Sequence, residues 1–96
     1  MRLVVRGAAE ADIPEVSCWY EARSPGLSYE FPHTVDVALA EITCMPERYP
    51  LARDTVRRAL LRRFPYAVFF VAAPDLLSVL ACMHARRDPR RWQERA

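Results

Sequence analysis

The spacing of apolar and polar side chains changes period along this chain. Arg2-Leu3-Val4-Val5-Arg6 sets apolar residues between arginines and predicts a short first strand. Ala9, Ile13, Val16 and Tyr20 then fall at offsets of four, seven and eleven, which is one face of a helix. Asp12 followed by Glu15 has the form of a capping box, which would start that helix late and leave Pro14 harmless in its first turn. A start near Ala8 would instead put Pro14 inside the helix as a kink. Composition ends the helix before Ser24-Pro25-Gly26, a turn.

Phe31, Val35, Ala38, Ile42 and Met45 repeat the helical spacing until Pro46 stops it. Pro32 predicts either a kink or a true start near residue 31, because an interior proline removes a hydrogen bond at a cost of about 3 kcal/mol. Two amphipathic helices joined by so short a connection form an antiparallel hairpin.

After residue 50 the period falls to two. Thr55–Leu60 alternates, with Val56, Arg58 and Leu60 on one face and Arg57 and Ala59 on the other. Tyr66–Ala72 and Leu76–His84 read as two further strands, with Pro74-Asp75 at the centre of a type I turn. The last strand is apolar on both faces, Leu77, Val79, Ala81 and Met83 against Leu76, Leu80 and Cys82, so it belongs inside a sheet. Asp88-Pro89 resembles the start of a short terminal helix carrying Trp92. The order is β-α-α-β-β-β, an α+β fold with an antiparallel helical hairpin packed on a small, mainly antiparallel sheet. With 96 residues and no repeat or linker, residues 1–96 make a single domain.

An apolar fraction of 52% with 27% charged residues excludes a disordered chain. All 14 basic residues are arginine, as a GC-rich coding sequence favours. Their distribution matters more than the net charge of +2. Residues 1–50 carry four arginines against eight acids, net −4; residues 51–96 carry ten against four, net +6. Such asymmetry suggests a surface that meets a polyanion or an acidic partner. Cys18, Cys44 and Cys82 form no metal spacing and no disulfide framework, so no metal or cofactor is expected, and all three read as core fillers. No signal peptide is recognisable, and Pro74-Asp75 divides the apolar run 64–83 into two strands rather than a membrane span. A soluble, cytoplasmic protein is expected.

Several segments carry a family resemblance. They are Trp19-Tyr20 ending the first helix, Ser24-Pro25-Gly26-Leu27, Pro46-Glu47-Arg48-Tyr49-Pro50 and Val56-Arg57-Arg58-Ala59-Leu60-Leu61, with Phe64-Pro65-Tyr66 and His84-Ala85-Arg86-Arg87-Asp88-Pro89 before Trp92. In this order the chain resembles the RelE/ParE superfamily of bacterial type II toxin–antitoxin toxins over roughly residues 2 to 95. The resemblance implies a growth-inhibiting, plasmid-stabilisation type of protein, held inactive by a cognate antitoxin in a hetero-oligomer. RelE-like members cut mRNA on the ribosome, whereas ParE-like members inhibit DNA gyrase.

RNA cleavage through a 2′-hydroxyl needs a base, a stabiliser for the charged phosphorane and an acid. Arginine suits the second role, and Arg57, Arg58, Arg62, Arg63, Arg86 and Arg87 are candidates. His84 suits proton transfer, and Trp92 could stack on a base. Carried over from RelE-like nucleases, Arg86 matches their basic residue after the last strand and Trp92 lies near their terminal tyrosine. Two departures count against cleavage: Tyr66 stands where those nucleases keep an arginine, and Trp92 has no ionisable hydroxyl. The expected roles are therefore His84 and Arg86 as catalytic residues only in a nuclease, with Arg58, Arg63, Tyr66, Arg87 and Trp92 binding the target or a nucleic acid. Each has a plainer reading: Trp92 as a packing anchor, His84 bonded to the tail, the arginines paired with acids. The balance favours a gyrase-type inhibitor over an mRNA endonuclease, with an inactive remnant or accessory binding protein as a further alternative.

Overall fold

The computed structural model describes residues 2–86 and 89–96. Strand β1 (Arg2–Val5) leads into helices α1 (Gly7–Arg23) and α2 (Leu27–Cys44). A 3-10 turn at Pro46–Arg48 follows, then β2 (Leu51–Arg53), β3 (Val56–Leu60), β4 (Tyr66–Ala72), β5 (Leu76–His84) and the short helix α3 (Pro89–Gln93). The five strands order as β1-β5-β4-β3-β2, antiparallel except where β1 runs parallel to β5. The fold is α+β with the hairpin on one face, as the periodicity predicts; β2, at three residues, is too short to leave a pattern.

Of the starts that the prolines leave open, both helices take the earlier one, with the proline inside. Helix α1 begins at Gly7, so Pro14 and Asp12 are interior and the capping-box start is not used. Pro14 lies on the exposed side of the helix. Helix α2 begins at Leu27 with Pro32 inside it. The turn between them is set by Gly26, whose φ of 100° suits a residue without Cβ. Its N–H donates to the Glu21 carboxylate at 2.6 Å, and Ser28 Oγ donates to the same group at 3.1 Å.

Phe31, Val35, Ile42, Val68, Phe70, Leu77, Val79 and Cys82 form the main core between hairpin and sheet. A second cluster lies on the far face, where Trp92 covers Phe69, Leu80, Met83 and Val56. Pairing passes from Phe69↔Ala81 to Phe70↔Val79, so Leu80 is an extra residue in β5. That bulge corrects the simple alternation: Val79 and Cys82 face the hairpin, while Leu80, Ala81 and Met83 face away. Strand β5 does lie inside the sheet, and Pro74-Asp75 does occupy the centre of the β4–β5 turn, closed by Ala73 N–H donating to the Leu76 carbonyl at 2.8 Å. The apolar run 64–83 is thus a hairpin, and among the described residues no helix is long and apolar enough to cross a membrane.

Candidate functional site

The register of β4 and β5 sets Tyr66 opposite His84 at one end of the sheet. Their rings meet edge-on at 5.5 Å, and Tyr66 also packs against Phe31 and Tyr20. Burial, then the neighbouring Tyr66, pushes the Tyr20 phenol above its ordinary pKa. The backbone N–H of Arg86 donates to His84 Nδ1 at 3.2 Å. In neutral imidazole this bond fixes the proton on Nε2, making that nitrogen the donor. His84 borders a cleft of about 260 Å3 lined by Glu15 and Val16 of α1, Tyr66, Cys82, Met83 and Arg91. His84 also borders a second groove with Leu60, Phe64, Pro65 and Arg86.

Among the described residues, Arg58, Arg63 and Trp92 do not join this pair. Arg58 projects from the sheet face opposite the hairpin, beside Phe69 in the register, and is half-buried. Arg63, in the β3–β4 loop, has a φ of 72° and pairs with Glu30 of α2 at 3.0 Å. Arg62 pairs with Glu41 at 3.5 Å, and Arg57 donates to the Tyr49 carbonyl at 2.6 Å. Three of the four arginines around β3 therefore brace α2 and the loop before β2. Trp92, expected to bind, is 6% exposed and stacks on Phe69 at 4.5 Å, so it anchors α3 instead of offering a free ring face. Arg87 lies outside the described residues.

Two cysteines depart from the core-filling expectation: Cys18 and Cys44 are exposed, and only Cys82 is buried. Burial, then nearby Asp12, pushes the Cys82 thiol up to about 12, which leaves it protonated and unreactive at neutral pH. Among the described residues no group of side chains is arranged to hold a metal ion.

One cluster was not anticipated. Asp12, 5% exposed, accepts the Cys82 N–H at 3.0 Å and two bonds from the Arg95 guanidinium, at 2.7 and 3.2 Å. Arg95 also donates to the Leu80 carbonyl at 3.2 Å, and Arg6 donates to the Arg95 carbonyl at 3.3 Å. The clasp ties the C-terminal tail to α1 and β5. Its sequence signal was available: Asp12 lies three residues after Ala9 and four before Val16, on the face that must be buried.

The fold defines a class of small α+β proteins in which a helical hairpin covers one face of a mainly antiparallel sheet. Among solved structures, one similar chain is from the chromosomal ParDE TA system from P. aeruginosa. It aligns with a TM-score of 0.78 at 17% identity, over 88% of this chain and 95% of that chain. At that identity the likeness is one of fold. No family model and no curated protein matches the sequence.

Proposed function

We propose that this protein is the toxin of a type II toxin–antitoxin pair, inhibiting growth by binding an essential target and neutralised by a cognate antitoxin. The carrying observation is the near-complete fold match to a chain of a ParDE TA system, together with the sequence resemblance to RelE/ParE toxins. DNA gyrase is favoured as the target over the ribosome. The dispersal of the arginines around β3 supports this preference, while Arg86 and Arg91 border the same grooves as His84. Cleavage needs cations converging on the scissile phosphate, and Arg57, Arg62 and Arg63 are engaged in bonds within the chain, while Arg58 lies across the sheet from His84.

The nuclease reading retains one specific support: the Arg86 amide leaves the His84 Nε2 proton directed away from the backbone, a form suited to donating to a leaving oxygen. The two readings separate in a translating extract and a gyrase assay. Intact mRNA with reduced supercoiling is expected. Ribosome-dependent mRNA cuts that disappear in His84→Ala and Arg86→Ala would reverse the preference.

A further inference from the structure

Strand β5 outruns its neighbour. Pairing with β1 ends at Val5↔Val79, and the chain then turns away into α1, so among the described residues no strand lies beside residues 80–84 on that side. A strand edge presents N–H and C=O groups that require partners. Here the first two are met by side chains acting in place of a strand: Arg95 donates to the Leu80 carbonyl and Asp12 accepts from the Cys82 N–H. Both main-chain groups of one strand residue point to the same side, and those of the next residue to the other. The Cys82 carbonyl and the His84 N–H therefore face the same strandless side, beyond the Asp12–Arg95 clasp, and Ala85 N–H turns the other way to the Pro65 carbonyl at 2.9 Å. The cleft beside them is walled by Glu15 and Val16 on the hairpin face and by Arg91 on the α3 face.

We propose that this edge, Cys82–His84, is a docking site for an extended segment of a protein partner, added as a short strand between α1 and α3. This rests on the antitoxin reading in that it supplies the binding mode for such a partner. Main-chain bonds to the Cys82 carbonyl and the His84 N–H would hold the segment, and its alternating side chains would meet two different walls. Apolar side chains fit against Val16, and acidic ones fit toward Arg91. The Asp12–Arg95 clasp marks where the added strand must stop.

The test uses the full chain and a synthetic peptide, acetyl-Val-Glu-Val-Glu-Val-Glu-amide, with a second peptide N-methylated at alternate positions so that its charge is kept and its donors are lost. Backbone NMR is expected to show saturable shifts centred on Met83 and His84, with slowed exchange of the His84 amide. The methylated peptide should bind about tenfold more weakly, the loss of one or two main-chain hydrogen bonds. Arg91→Glu should weaken the unmodified peptide about twofold to fivefold. Equal binding by both peptides, shifts confined to the surface of α3, or no saturable binding would overturn the proposal. The readout needs neither toxicity nor the antitoxin itself, so its failure is distinguishable from failure of the toxin reading.

Discussion

Arg95→Ala is expected to destabilise the protein by about 3 kcal/mol, because removing one partner leaves a buried carboxylate without its counter-charge. Asp12 has its side chain 7% exposed, and among the described residues only Arg95 and the Cys82 N–H bond to it. For a domain of this size that loss lowers the melting temperature by about 12–24 °C. The double variant Asp12→Asn with Arg95→Ala should recover part of the loss, since the uncompensated charge is gone. Thermal unfolding of the two single variants and the double variant measures the coupling. Additive losses would mean that the clasp is not a coupled pair.

Trp92→Ala should cost a similar amount, about 3 kcal/mol, at the low end for a buried tryptophan. The reason for the low end is that α3 is only five residues long and can leave the sheet instead of enclosing a cavity. Its departure would expose Phe69, Leu80 and Met83 on the far face. Hydrogen exchange is therefore expected to rise in residues 89–96 and in far-face strand positions, with the hairpin core around Phe31 and Phe70 still protected. Uniform loss of protection would show that Trp92 supports the whole fold and not a detachable end.

The pairing of Asp12 with Arg95 also marks the limit of what the sequence discloses. Periodicity captures the helical hairpin and the interior position of β5 because each rests on many side chains repeating one rule. Asp12 stands on the face of α1 that must be buried, but its partner is 83 residues away, so locally it reads as a helix cap. The Leu80 bulge is equally opaque: one inserted residue reverses which face Ala81 and Cys82 address without altering composition. Within the candidate site, the meeting of Tyr66 and His84 follows from hairpin register. The diversion of Arg57, Arg62 and Arg63 into bracing contacts does not, since any exposed arginine on a strand or loop has the same sequence appearance.

The central claim is that the chain arrests growth and that an antitoxin relieves it. Its most direct measurement is growth after induced expression of the chain alone, compared with co-expression of the proposed antitoxin. The expected result is arrest of the first culture and normal growth of the second. Normal growth while soluble, folded protein accumulates in the first culture would contradict the claim.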